Sequence, residues 1–349
     1  MIFRRTKQKR ILVVRTDRVG DVTYITPSLR ELRNTFSDAL IATLTQPHTS
    51  NIILNNPNVD LILTDDLKKE NFWKVVKELR KHKFTHALLM LPTERAAYQL
   101  FFAGIPCRIG VGHKLYEVIT FMKSVSRNNY NPLRHEADYC MDLARKIGVK
   151  SNNISLEIFL TKQEKNEAKD WIKSKNISLD ELKIFLHTGS FGSAPNWSED
   201  KYFSLIQKLS KLLFSIRYKI ILTSLEMSDK FKDQIKSLNN PNILDISRDI
   251  ANLRMMIKII SQADLFIAPS TGPLHIADAL GIKCIGIHCH RKISSAKHQG
   301  ILNNVSINLE VSDENCRKYC SADQNTCGIE NGLSEDEVVE AVKILLKIN

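Results

Sequence analysis

Short apolar runs rich in β-branched residues recur along this chain, and most are followed by a longer stretch with helical spacing. Arg10–Arg15, Leu40–Leu44, Leu61–Thr64, His86–Leu91 and Cys107–Val111 read as strands, and Val22–Phe36, Thr49–Asn55, Asn71–His82 and Glu94–Phe102 as helical segments between them. Strands that are apolar along their whole length are covered on both faces, so the pattern predicts a parallel sheet with helices on either side. The rhythm lapses over Gly112–Pro132, which reads as a long loop or a mobile helix of mixed apolar and basic character, and returns with a helix at Leu133–Ile147. Gly148–Leu160 reads as a linker. Beyond it come strands at Lys183–Leu186, Tyr218–Leu222, Asn242–Asp245, Leu265–Ala268 and Lys283–Ile287. Helices are expected at Lys162–Lys175, after Ser198, at Asp229–Leu238, at Leu253–Ser261 and at Gly272–Leu280. Ser334 and Glu337 form a capping box for a closing helix, Ser334–Ile348. A chain of 349 residues is long for one core. Two doubly wound, Rossmann-like α/β domains facing a central cleft are therefore expected: residues 1–150 and 151–332, with 333–349 as a helix bracing both.

Composition narrows the partners. Hydrophobic residues make up 43% of the chain and charged residues 25%, as in soluble globular proteins. No apolar run approaches a bilayer span, and the first ten residues lack the apolar core of a secretory signal, so a cytoplasmic protein is expected. The formal net charge of +12 favours an anionic partner: nucleic acid, a phosphorylated lipid or an acidic membrane surface. Basic residues cluster at Arg4, Arg5, Lys7, Lys9 and Arg10 and again over Lys74–Lys83. Basic and aromatic residues do not interleave in the manner of RNA-recognition modules, so nucleic acid is not expected. Cys107, Cys140, Cys284 and Cys289 lie in or beside apolar segments and read as buried small residues. Cys316, Cys320 and Cys327 lack the tight pairs and fourth ligand of a structural zinc site, and neither a metal nor a cofactor is expected.

Three strand ends carry residues suited to chemistry. After the first strand come Asp17, Arg18, Gly20 and Asp21. Asp21 falls in the first turn of a helix, where the dipole favours an ionised carboxylate able to act as a general base. Either aspartate could equally serve as a helix cap. After the strand ending at Leu186 comes His187-Thr188-Gly189-Ser190-Phe191-Gly192-Ser193, a small-residue loop able to present several backbone N–H groups to a phosphate. The alternative is a plain surface loop. After Ala268 comes Pro269-Ser270-Thr271-Gly272-Pro273-Leu274-His275. Ser270 or Thr271 could cap the helix, Pro273 suits a first turn, and His275 would be a neutral donor there. A strand, a small-residue turn and a helix N-terminus together suit an anion, although a well-capped connection looks the same.

Taken together, these stretches resemble the ADP-heptose:lipopolysaccharide heptosyltransferase family, glycosyltransferase family 9, of GT-B fold. The resemblance runs over nearly the whole chain, from Ile11–Arg30 through Asn56–Asp60, Gly104–Gly110, His135-Glu136, His187–Gly189 and Trp197-Ser198 to Ser270–His275 and the cysteine-bearing stretch. It implies inverting, metal-independent heptose transfer from ADP-heptose to a lipopolysaccharide-core sugar. Asp21 matches the catalytic base. Thr188, Gly189 and Ser190 match the diphosphate loop, and Ser270, Thr271, Gly272, Pro273 and His275 the donor turn. Glu226 lies near the position of an acidic residue that holds the adenosine ribose. The acceptor is expected in the N-terminal half, with Arg18, Lys114, Tyr116 and Lys123 as contacts. Two positions depart from the family pattern. Ser270 stands where many members have Asp, and Pro195 where many have a Lys that contacts phosphate; Arg18 or Lys201 are candidate replacements.

The function expected is thus transfer of heptose to a phosphorylated, lipid-linked glycan of the bacterial envelope, with peripheral contact to the inner membrane's cytoplasmic face. Two alternatives stay open. One is the same chemistry with a different nucleotide sugar; the other is a degenerate, non-catalytic glycan-binding member of the family.

Overall fold

The computed structural model describes residues 8–112, 114–320 and 328–348. The basic residues Arg4, Arg5 and Lys7, and Cys327, lie outside them. The chain divides into two compact units, Met1–Phe159 and Leu160–Asn349.

The first unit contains a six-stranded sheet, all of whose pairings are parallel: β1 (Arg10–Val14), β2 (Leu40–Thr45), β3 (Leu61–Thr64), β4 (His86–Leu89), β5 (Cys107–Val111) and β6 (Lys123–Val125), in the order β3-β2-β1-β4-β5-β6. Ile11, Leu12, Val13 and Val14 of β1 are all buried, which is why that strand reads as an unbroken apolar run. Its helices are α1 (Val19–Thr23), α2 (Thr26–Thr35), α3 (Phe72–Lys81), α4 (Glu94–Phe102), α5 (Leu115–Ile119) and α6 (Glu136–Arg145). Val75 and Leu79 of α3 and Ala96, Ala97 and Leu100 of α4 close over one face of the sheet.

Two expectations need correction here. Val22–Phe36 is not one helix: it breaks between α1 and α2, and Pro27 sits in the first turn of α2. Proline lacks the N–H that would bond the carbonyl of Thr23, and its ring would clash with that carbonyl, so the helix must restart. Gly112–Pro132 holds a short helix, α5, and also a strand that neither the loop nor the helix reading includes: the sixth strand, β6, with Ile109 opposite Lys123 and Val111 opposite Val125. β6 is an edge strand of three residues, too short and too polar to show periodicity.

The second unit repeats the plan: β7 (Leu182–Leu186), β8 (Tyr218–Leu222), β9 (Ile243–Asp245), β10 (Leu265–Pro269), β11 (Cys284–His288) and β12 (Ile307–Glu310), again all parallel, in the order β9-β8-β7-β10-β11-β12. Its helices are α7 (Lys162–Ser174), α8 (Glu199–Leu212), α9 (Asp229–Ser237), α10 (Leu253–Ile260), α11 (Gly272–Ala279), α12 (Ala296–Gln299), α13 (Asp313–Tyr319), α14 (Ile329–Gly332) and α15 (Glu335–Leu346). The capping box of Ser334 and Glu337 starts α15, which packs on α8 and on the β11–β12 side of its own sheet. Thr161 and Glu164 cap α7 in the same way, and Glu164 also pairs with Arg254 of α10 at 2.7 Å. That pairing, together with the cap, holds the Glu164 carboxyl down at about 2.

In both sheets the strand order reverses between the first and fourth strands. Connections leave those two strands in opposite directions, so a crevice opens beyond their carboxyl ends. In the first unit this lies between β1 and β4, and in the second between β7 and β10.

Candidate functional site

In the first unit the reversal point is occupied by a charged cluster built around Arg15, the first residue past β1. Arg15 is buried and carries three carboxylates: Nε donates to Asp17 at 2.8 Å, Nη2 to Asp21 at 2.6 Å and Nη1 to Glu136 at 3.0 Å. Glu136, first residue of α6, also accepts from Arg127 at 2.8 and 2.9 Å. Burial works against ionisation of Glu136, but the two guanidiniums hold its carboxyl below the usual range. Asp17 goes the other way: burial pushes it up to about 6, against the pull of Arg15 and with the help of the Asp21 charge. The cap of α1 is Arg18, without a side-chain bond, so neither aspartate serves as the helix cap. Asp21 stands in the first turn of α1, partly exposed. Arg15 holds its Oδ1, and among the described residues nothing holds Oδ2. One oxygen is anchored and the other can take a proton from a hydroxyl.

In the second unit both sequence-marked loops fall at the reversal point. β7 ends in His187, whose Nδ1 lies 2.9 Å from Thr223 Oγ1, and burial drops its pKa to about 4. The imidazole is therefore neutral and structural. Thr188 is buried, and its carbonyl accepts from Asn196 at 2.6 Å. Glu226, in the loop after β8, accepts from the Phe191 N–H at 2.7 Å. The backbone of Gly189 lies so close to Ser224 and Glu226 that a Cβ there would collide with both side chains. The loop after β7 and the loop after β8 thus meet at Gly189, Phe191 and Glu226. After β10, Ser270 and Thr271 are buried and Gly272 and Pro273 open α11, with His275 buried in its first turn. Thr271 turns its hydroxyl back to the carbonyl of Pro269 at 3.1 Å and makes no side-chain cap. The cap that Ser270 or Thr271 could supply is absent, so no side chain caps the first turn of α11. Ser270 Oγ touches Gln299 Oε1 at 3.5 Å.

The remaining candidates separate. Lys201 does not replace the missing lysine. Its Nζ bonds the carbonyls of Leu333, at 2.5 Å, and Glu330, and lies over the Trp197 ring. Arg18 is exposed beside the cluster at β1. Lys114 and Lys123 are exposed at either end of the α5–β6 segment. β6 lies three strands from β1, about 14 Å across the sheet, so Lys123 is not brought to Asp21. Tyr116 packs on the core with its hydroxyl buried, and burial, with Glu117 and Glu94 nearby, raises its pKa to about 12. Cys316 and Cys320 stand with sulfurs 3.3 Å apart, and among the described residues no group of three metal-ligating side chains forms. Arg15, Arg127 and Glu136 escaped the sequence reading as site residues, although His135-Glu136 had marked the place.

Each unit is thus a doubly wound α/β sheet with polar residues gathered at its own reversal point. The sequence profile of glycosyltransferase family 9 (heptosyltransferase) matches residues 72–326, and the chain belongs to that family. It is a glycosyltransferase. A Haemophilus influenzae protein described no further than as a glycosyltransferase is 25% identical over 94% of this chain and 95% of its own length. The lipopolysaccharide core heptosyltransferase OpsX of the same organism is 22% identical over 89% of this chain and 86% of its own. The structure of Escherichia coli ADP-heptose lipopolysaccharide heptosyltransferase II superposes with a TM-score of 0.76 at 17% identity, covering 97% of this chain and 98% of the other. The fold is thus that of the GT-B heptosyltransferases.

Proposed function

We propose that this enzyme transfers heptose from ADP-heptose to a lipid-linked, phosphorylated acceptor of the lipopolysaccharide core, with inversion, at the cytoplasmic face of the membrane. The observation that carries the reading is Asp21: a carboxylate with one oxygen anchored and one free, at the reversal point of its sheet. The acceptor hydroxyl gives its proton to Oδ2 as its oxygen attacks the anomeric carbon from the face opposite the diphosphate. The bond from that carbon to the diphosphate oxygen breaks, and the nucleoside diphosphate leaves. The uncapped N–H groups at the start of α11 and those of the Thr188–Ser190 loop stabilise the developing charge. In this reading Glu226 accepts from ribose hydroxyls. No metal or cofactor is required by these steps, and the nucleotide sugar is a substrate.

Ser270 favours a second reading, in which the same chemistry uses another nucleotide sugar. A hydroxyl there is a weaker acceptor for sugar hydroxyls than the carboxylate many family members carry. Release of nucleotide from a panel of nucleotide sugars tests both. The expected result is turnover of ADP-heptose, with Asp21→Asn lowering kcat about 10²-fold or more while ADP affinity stays within about twofold. Turnover of another sugar nucleotide alone would favour the second reading, and near-normal turnover of Asp21→Asn would remove Asp21 as the base.

A further inference from the structure

One helix of the first unit presents its apolar side outward. α5 buries Glu117, 1% exposed, while Leu115, Val118 and Ile119 are 76, 68 and 49% exposed. Those three lie at i, i+3 and i+4, on one side of the helix. Phe121 follows at φ 51° and is 79% exposed, a bulky side chain held out from a backbone conformation that favours glycine. From Phe121 a chain of ring contacts runs across the surface: 6.5 Å to Phe101, 5.5 Å on to Phe102 and 5.2 Å on to Trp73. Trp73 is 60% exposed. The start of α3, the end of α4 and the outer side of α5 therefore share one apolar, largely aromatic face of adjoining side chains rather than singly scattered ones.

Its rim is basic. Lys77 and Arg80 follow Trp73 on the same side of α3, and Arg80 reaches the carbonyl of Phe102 at 2.9 Å. The stretch from Lys68 to Lys83 holds seven lysines and arginines against Glu70 and Glu78, and Glu78 is paired with Lys81. Lys114 and Lys123 are exposed on either side of α5 and Phe121. Glu94 and Glu70 are the acidic groups exposed at the edges of the face. A second copy docking by the same face would bring one basic rim against another. A nucleic acid would use the lysines but leave Leu115, Val118 and Ile119 in water. An anionic bilayer takes both: its headgroups meet the lysines, and its interface accepts tryptophan, phenylalanine and leucine side chains.

We propose that this face of the first unit docks the enzyme on an anionic phospholipid bilayer. Among the described residues no helix is long and apolar enough to cross a membrane, so the contact is interfacial. The inference rests on the membrane location in the proposed function and names the surface that makes the contact; it does not depend on which sugar is transferred.

The test uses the full chain with Trp171→Phe, leaving Trp73 and the buried Trp197 as reporters. Vesicles are phosphatidylcholine alone or mixed with phosphatidylglycerol, with and without brominated acyl chains. The expected result is salt-sensitive co-sedimentation with the anionic vesicles and quenching of fluorescence by the brominated lipid that Trp73→Phe abolishes. Leu115→Asp with Phe121→Asp should weaken partitioning about tenfold or more, while circular dichroism and donor turnover in vesicle-free solution stay unchanged. Failure to bind anionic vesicles would overturn the proposal. So would binding that the double variant leaves intact, or a dimer in light scattering that the double variant dissolves. Unchanged soluble turnover separates loss of docking from failure of the enzymatic reading.

Discussion

Asp17→Asn should make the enzyme more stable at alkaline pH, although it removes a partner of a buried arginine. Arg15 and Arg127 face Asp17, Asp21 and Glu136, so the cluster carries one negative charge in excess when all three carboxyls are ionised. Asp17 bears the cost, its carboxyl raised from 3.8 to about 6 chiefly by burial. A raised acid is disfavoured in its charged form in the native state. Its proton is held in the folded protein over a range where the unfolded chain has already lost it, so stability falls as pH rises from about 4 to about 6 and stays lower above. Two pKa units correspond to about 3 kcal/mol, and partial solvation of Asp17 reduces this to about 1–3 kcal/mol. Asparagine keeps an oxygen for Arg15 Nε and sheds the charge. Scanning calorimetry at pH 8 should show the transition of the first unit rising by about 2–10 °C in the variant, with the gain vanishing near pH 4. A variant melting at or below the parent at pH 8, or one whose gain is the same at both pH values, would refute the reasoning.

Further predictions concern the other anchors. Glu136→Gln leaves Arg127 without its carboxylate partner while Arg15 keeps Asp17 and Asp21, and should cost about 3–5 kcal/mol, read by urea denaturation. Gly189→Ala would drive a methyl group into Ser224 and Glu226; calorimetry should show nucleoside diphosphate affinity falling at least about tenfold, with a smaller loss of stability. Glu164→Gln should cost about 1–2 kcal/mol at pH 7, and since the native carboxyl is held at about 2, that cost should disappear as acid titrates the parent from about pH 4 downwards.

The alternation of strand and helix was legible because a strand covered on both faces has no choice but to be apolar throughout. β1, β7 and β10 show this, and they are the strands whose ends carry the site. The strands that stayed hidden, β6 and β12, each lie at one edge of a sheet and are short and interrupted by polar residues, Lys123-Ser124-Val125 and Ile307-Asn308-Leu309-Glu310, whereas the edge strand β3 was legible because Leu61, Ile62 and Leu63 form an apolar run. Asp21, Gly189 and the α11 turn were legible for a related reason: each sits where a strand hands over to a helix, and that junction restricts which residues fit. Arg15 was not, because an arginine ending an apolar run looks like the first residue to reach water. Only the fold shows that it stays buried, since α6 brings Glu136 back across the sheet from far along the chain. The sequence marks where chemistry can happen through local backbone demands, whereas what tunes it depends on long-range pairing. The same logic explains Lys201, which looked like a spare phosphate ligand until its position over Trp197 showed it spent on the carbonyls of Glu330 and Leu333. With that cation committed and proline at 195, the proposed mechanism assigns the charge of the leaving diphosphate to backbone N–H groups, those at the start of α11 and in the Thr188–Ser190 loop. A donor site that relies on backbone dipoles depends on the geometry of its turn rather than on any one side chain, which is why Gly189, whose backbone lies against Ser224 and Glu226, is the position at which a small substitution should matter most.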